Sequence, residues 1–265
     1  MKFFRYAPLI EGAIYFYVKR KLNKTNILKK LEPQIIIVDV DGTIIDSFIV
    51  YDILVKFYGK EKADAIEKEF NERLKRGSSV EEEIIFGIEK LYSDGIDRKH
   101  LKEILDEYEA NGKIRKELVS ALQELKKEGK IILIITKGIE DIAKMIAEKY
   151  GFDAGFGSKI DERGKVVEVI GTRRRNVNGV RVITKIDKAK EFCESKGIKF
   201  DRKKVCILSD DIYDLKDMKR ASRCILTISD NPVHFQRLAM KLKLYDESIT
   251  NDLKKDRILK IIKGC

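Results

Sequence analysis

Three stretches of this chain run from apolar residues straight into side chains that can do chemistry. Gln34-Ile35-Ile36-Ile37-Val38 leads into Asp39-Val40-Asp41-Gly42-Thr43. Lys130-Ile131-Ile132-Leu133-Ile134-Ile135 leads into Thr136-Lys137-Gly138. Lys204-Val205-Cys206-Ile207-Leu208 leads into Ser209-Asp210-Asp211-Ile212-Tyr213-Asp214. An ionised carboxylate is a nucleophile that needs no deprotonation at neutral pH, and a hard oxygen ligand for a divalent cation. One acidic strand end can equally be a solvated loop. Two further strand ends with a hydroxyl, a glycine and more aspartates turn a local coincidence into a constellation.

The elements that must position these residues follow from patterning. Each apolar run is short, β-branched and unbroken, as expected of a strand buried on both faces of a parallel sheet. Gly42-Thr43 ends the first strand, so Asp39 and Asp41 emerge at its carboxyl end, where open α/β sheets place ligands. Apolar residues then recur at helical spacing over Tyr51–Tyr58, Lys60–Lys75, Val80–Leu91 and Arg98–Tyr108. Ser79 and Glu82 have the spacing of a capping box. A single crossover does not need four helices. Leu118, Leu122 and Leu125 stripe a helix before the second strand, and Ile139–Tyr150 reads as the helix after it. Glu162-Arg163-Gly164 and Asn178-Gly179 are hairpin signals flanked by β-branched residues. Lys185 precedes a helical pattern over 187–196. Cys224–Ile228 reads as a strand, and Phe235–Leu244 and Ile249–Ile262 as closing helices.

With these motifs in this order, residues 34 to 235 resemble the haloacid dehalogenase superfamily of aspartyl-phosphate phosphatases. Asp39-Val40-Asp41-Gly42-Thr43 matches the first family motif, Thr136 the second, Lys185 the third, and Asp210 with Asp214 the fourth. The resemblance implies an α/β fold: a Rossmann-like parallel sheet core with a helical cap insert and a small β-hairpin segment. The core comprises residues 34–46 and 114–265, the cap 47–113, and an N-terminal basic, aromatic helical extension 1–33. It implies Asp39 as nucleophile and Asp41 as general acid and then base. Thr136 and Lys185 hold the phosphoryl oxygens, and Lys137, Gly138 and Phe48 border the substrate. Mg²⁺ is the implied cofactor, held by Asp39, Asp210 and the Asp41 backbone carbonyl, with Asp214 or Asp211 orienting its shell. Lys188 is the rival to Lys185. Asp41 favours a phosphatase, since the dehalogenase branch lacks an acid there and the transport ATPases carry Thr.

Helical cap and hairpin look most like the phosphoserine phosphatase branch, with three departures. Phe48 stands where that branch has an acidic residue, Val80–Leu91 holds no arginine, and Ser209 replaces a glycine. Phosphoserine is therefore expected to be a poor substrate. Arg173, Arg174, Arg175 and Arg181 lie just before Lys185, and Arg174 is the expected contact to a larger or more anionic phosphoester.

Composition bounds the partners. The chain has 265 residues, 43% hydrophobic and 37% charged, with a net charge of +11. Residues 1–33 carry eight Lys/Arg against two Glu, whereas residues 47–113 carry twelve against sixteen acids. Leu9, Ile10, Ala13, Ile14, Phe16, Tyr17 and Val18 give the extension an apolar surface. The run is too short to span a bilayer, so packing on the core or on a second subunit, as in a homodimer, is preferred over an interfacial membrane helix. Four cysteines without CxxC spacing and no secretory signal point to a cytoplasmic protein with reduced thiols. His100 and His234 have no partner pattern and read as surface residues. The expected reaction is Mg-dependent hydrolysis of a small phosphorylated metabolite. One alternative is a phosphatase for nucleotides or nucleic-acid ends, motivated by the basic charge but unsupported by stacking aromatics. The other is a catalytically silent binding module.

Overall fold

The structure is a computed structural model that describes residues 31–218, 220–230, 236, 237, 239, 240 and 245–264. The expectations for residues 1–30, His234 and most of the Phe235–Leu244 segment lie outside these residues; the described Gln236, Arg237, Ala239 and Met240 are helical.

The first apolar run forms β1, Ile35–Val38, and all four of its residues are buried. Its side chains alternate between two cores, as a strand's must. Ile36 and Val38 join one core, Ile35 and Ile37 the other. Four helices follow: α1, Ile49–Tyr58; α2, Lys60–Lys75; α3, Val80–Ser93; and α4, Arg98–Ala110. The expected capping box starts α3: Ser79 accepts from the Glu82 backbone N–H, and the Glu82 side chain accepts from the Ser79 N–H. His100 packs edge-on against Phe57 and takes part in the Asp97 cap of α4, a structural role.

Helix α5, Lys116–Lys127, then returns the chain to the sheet. After it come β2, Ile131–Ile139; α6, Glu140–Tyr150; β3, Ala154–Ile160; β4, Val166–Ile170; β5, Arg175–Val177; β6, Val180–Ile183; α7, Lys185–Ser195; β7, Val205–Ser209; α8, Leu215–Met218; β8, Arg223–Thr227; β9, Glu247–Ile249; and α9, Lys255–Lys263. The nine strands make one sheet in the order β5-β6-β4-β3-β2-β1-β7-β8-β9. From β3 to β9 every pairing is parallel. At the other edge β4 runs antiparallel to β3, and β5 and β6 form a hairpin. The hairpin turn is Asn178-Gly179, with φ of 52° and 86°, the pair of positive values that a type I′ turn requires.

The closing segment differs from the sequence reading of a helix over 249–262. Glu247–Ile249 adds a parallel edge strand to β8, and the helix starts only at Lys255. Ile249 supplies one buried residue to an edge strand too short to show a period.

β1 lies between β2 and β7, so the chain crosses to opposite sides of it, and the topological switch point falls at Asp39. The chain leaves the core just beyond β1 and returns beside its point of exit. The Asp46 N–H donates to the Lys113 carbonyl at 2.9 Å and Ile45 bridges Ile114. The helical block between them is tied down at its far side too. Glu81, 2% exposed, accepts from the Thr172 N–H and hydroxyl at 2.9 Å each and pairs with Arg175. Arg98 reaches Asp141 at 3.2 Å. Apolar residues of α1, α3 and α4, including Ile53, Leu91 and Leu101, belong to the same core as Ile36 and Val38. Among the described residues no helix is long and apolar enough to cross a membrane.

Candidate active site

The aspartates meet at the carboxyl end of β1 and β7, as the strand order requires. Asp39 is buried; its Oδ1 accepts from the Val40 N–H at 2.8 Å and its Oδ2 lies 2.7 Å from Lys185 Nζ. Lys185, 1% exposed, stands at the start of α7 and also reaches Asp214 Oδ2 at 2.5 Å. Lys188 turns elsewhere, to Glu168 and the face of Phe156. Helix α7 is started by Thr184, which accepts from the Asp187 N–H, so capping fixes where Lys185 leaves the sheet. The other oxygen of Asp214 is bound by Lys137, which also reaches Asp211 at 2.9 Å.

Asp41 accepts from the Ile49 N–H at 2.6 Å, the first amide of α1. Thr136 is buried at the irregular end of β2, where its hydroxyl accepts from the Gly138 N–H at 3.0 Å. Gly138 brings its backbone against the acid: a Cβ there would lie 3.5 Å from Asp41 Oδ2. Gly42 is needed twice over. Its φ is +64°, and a Cβ would fall 2.0 Å from Asp210 Oδ2.

Electrostatics separate these acids. Burial pushes Asp41 up to about 7, against the pull of the Ile49 N–H. Burial raises Asp39 despite Lys185, and raises Asp210 well above the ordinary carboxylate value, helped by the Asp39 charge. Burial acts on Asp214 in the same direction, but Lys137 and Lys185 outweigh it and hold the carboxyl well below its ordinary value. Both lysines lie above their ordinary values because the aspartates outweigh the cost of burial.

Asp39, Asp41, Asp210, Asp211 and Asp214 face Lys137 and Lys185, so full ionisation would leave three uncompensated negative charges. Among the described residues no group of three or more His, Cys, Asp or Glu side chains is arranged to hold a metal by itself. Asp214 has both oxygens bound to lysines, and Asp211 holds Lys137 and the Tyr213 N–H. Asp39 and Asp210, both buried, leave carboxylate oxygens in need of positive charge. Such oxygens suit a hard divalent cation completed by water and a substrate oxygen.

Above these groups is a cavity of about 200 Å³ that reaches into the helical block. Asp39, Asp41, Thr136, Lys137, Gly138 and Asp210 form its floor, and Phe48 is on its wall. Arg174 is not brought there. It lies 3.4 Å from Glu191 at the surface, while Arg181 pairs with Glu168 and Glu191. The strand order puts the hairpin at the edge of the sheet, β6 five strands from β7.

Two features went unread in the sequence. Ser209, noticed only as a replaced glycine, has its hydroxyl 3.0 Å from Asp39 Oδ2 and 2.7 Å from Asp214 Oδ2. The wall formed by Ile66, Phe70, Ile84 and Phe86 was legible as helical periodicity. Periodicity does not say whether an apolar stripe meets another helix or a cavity.

A haloacid dehalogenase family hydrolase from Salmonella enterica serovar Typhi superposes with a TM-score of 0.66 at 15% identity, covering 98% of this chain and 81% of that one. A phosphoserine phosphatase in its apo form gives 0.58 at 16% identity, over 88% of this chain and 100% of that one. A phospho-aspartyl intermediate analogue of phosphoserine phosphatase gives 0.51 at 17%, over the same shares. At such identities the likeness is one of fold. No curated protein matches the sequence. The family model for haloacid dehalogenase-like hydrolases matches residues 36–219, most of the chain and all of the motifs above. The chain belongs to the haloacid dehalogenase-like hydrolase family.

Proposed function

We propose that this protein is a Mg²⁺-dependent phosphatase that hydrolyses a small phosphorylated substrate through an aspartyl-phosphate on Asp39. The observation that carries the reading is the division between two neighbouring acids. Asp39 stands against Lys185, and Asp41, two residues on, is held near 7 by burial. A phosphate monoester needs a nucleophile on one side and a proton donor on the other. Asp39 attacks phosphorus and the bond to the leaving oxygen breaks. The Asp41 proton moves to that oxygen, and the alcohol leaves. Asp41, now a carboxylate, takes a proton from water as the water oxygen attacks the phosphoryl group. Asp39 is released with inorganic phosphate.

Lys185 and the Thr136 hydroxyl would steady the phosphoryl oxygens, with Lys137 close by. Asp39, Asp210 and the Asp41 carbonyl would hold Mg²⁺, while Asp214 fixes both lysines. Bound Mg²⁺ supplies charge neutralisation for the phosphate as a Lewis acid. Residues 47–113 serve as a cap that shields the acyl phosphate from bulk water, and the buried thiols Cys193, Cys206 and Cys224 suit a reducing cytoplasm. The structural likeness to a phospho-aspartyl analogue of phosphoserine phosphatase supports the covalent step as analogy. Nucleic acid is disfavoured as a substrate, because Arg174, Arg175 and Arg181 are each paired with a glutamate.

The test is trapping. Asp41→Asn, given an aryl phosphate whose leaving group needs no acid, should accumulate phosphoenzyme at Asp39. A protein that turns over aryl phosphate without any phosphorylated Asp39 would refute the two-step scheme.

A further inference from the structure

The cavity floor accounts for phosphate but not for the walls above it. Those walls come from α1, α2 and α3, through Phe48, Leu54, Ile66, Phe70, Ile84 and Phe86. The charged residues on the wall are Glu67, Glu83 and Lys90; Glu67 is buried, 8% exposed, and Glu83 and Lys90 are engaged within the helical block. Glu83 takes Arg73 Nε at 2.9 Å on each oxygen, and Lys90 reaches Asp94 at 3.0 Å. Arg73 itself lies 4.3 Å over the Phe86 ring and is not among the residues lining the cavity. Among the described residues no arginine lines the cavity. A carboxylate or second phosphate on the substrate would lose its hydration there and gain no bidentate cation, a large penalty. Hydrocarbon gains at each contact instead. A closed apolar cavity of about 150 Å³ accepts a benzene ring; this one is larger, at about 200 Å³, and is continuous with Asp39 and Asp41.

We propose that the substrate is the phosphomonoester of an apolar alcohol, alkyl or aryl, with its phosphate at Asp39 and its hydrocarbon against the α1–α3 wall. The proposal deepens the phosphatase reading and rests on it for the position of the phosphate. It replaces the anionic substrate that the arginine-rich hairpin suggested from sequence.

One wall residue permits a direct block. Gly87 lines the cavity in the middle of α3, and a Cβ there would meet nothing within 4 Å. Gly87→Leu should fill the apolar end while improving the helix, because glycine is a poor helix former. The experiment measures kcat/KM with Mg²⁺ for ethyl, butyl, hexyl and octyl phosphate, with 1-naphthyl phosphate, phosphoserine and glucose 6-phosphate alongside. Each buried methylene should raise kcat/KM about three- to fourfold until the cavity is full. Phosphoserine and glucose 6-phosphate should fall at least a hundredfold below the best alkyl ester. In Gly87→Leu the octyl-to-ethyl ratio should drop at least tenfold, with thermal unfolding showing the variant folded.

A flat or falling chain-length series overturns the proposal, as does phosphoserine emerging as the best substrate. Failure of the phosphatase reading looks different: no phosphomonoester is turned over at all. Calorimetric binding of octylphosphonate against ethylphosphonate, again with Mg²⁺, then decides. A preference for octylphosphonate of at least a hundredfold that collapses in Gly87→Leu sustains the apolar site, and equal binding overturns it.

Discussion

At the sheet end of the cavity, Asp39, Asp211 and Asp214 are locked to Lys137 and Lys185, and each of these side chains is held by the others. At the helical end, Ile66, Phe70, Ile84 and Phe86 offer contacts with no fixed direction. The floor is determined by charge balance, so a change in one side chain strands its partners. The wall is determined by shape and area, so a change there alters affinity in small increments. On the proposed reading, the reaction is written in the floor and the choice of alcohol in the wall.

Substitutions should reveal that difference in size. Asp39→Asn keeps the shape and removes the proposed nucleophile, and turnover should fall at least about a thousandfold with an unchanged circular dichroism spectrum. Activity near wild type would end the assignment.

Removing divalent cation comes next. Chelation should abolish turnover, and it has a second readout. Asp39, Asp41 and Asp210 have raised folded-state values, so the stability they contribute is complete at low pH and is lost as pH rises, through about 7 for Asp41. Asp214 has the opposite sign, and its contribution is lost only in strong acid. Mg²⁺ should therefore raise Tm more at pH 8 than at pH 5.5. An equal shift at both would mean that the cation does not sit among these acids.

On the wall, Phe70→Ala should raise KM for an octyl ester by about tenfold, the worth of part of a buried ring, and a Michaelis series measures it. Ser209→Ala tests the link between floor residues. Its single hydroxyl proton is offered to Asp39 or Asp214, and losing a bond of about 1 kcal/mol should cost kcat roughly fivefold. No change in kcat would make Ser209 a packing residue. Arg174→Ala should do least, with KM within about twofold of wild type, since that side chain ends at Glu191. A large rise in KM would return the hairpin to the substrate and break the distinction between wall and surface.

Much of the floor was readable in the sequence because strand ends are. Apolar runs locate Asp39, Thr136 and Ser209-Asp210, and a parallel sheet brings their carboxyl ends to one edge. The edges of the sheet were less legible. Glu247–Ile249 has three residues, too few to show a period, and a helical pattern was read over it. Arg174 misled because closeness to Lys185 along the chain is no guide to closeness in space: Arg174 precedes the edge strand β5 and reaches Glu191 at the surface, while the site lies near the middle of the sheet. The cavity wall was invisible for a different reason. A helix face that lines a void and one that meets another helix carry the same residues.

The core shared by Ile36, Val38, Ile53, Leu91 and Leu101 bears on how this molecule comes apart. If the helices between Asp46 and Lys113 were an independent unit, heating would release them first. With one of the two cores running from the helices onto a face of the sheet, and Glu81 and Arg98 fastening the far side, loss of the helices exposes that face of the sheet. Unfolding should then be a single cooperative event, with far-ultraviolet ellipticity and reagent access to the thiol of Cys206 in β7 following the same denaturant curve. Two separated curves would show that the helical roof and the sheet keep separate thermodynamic accounts.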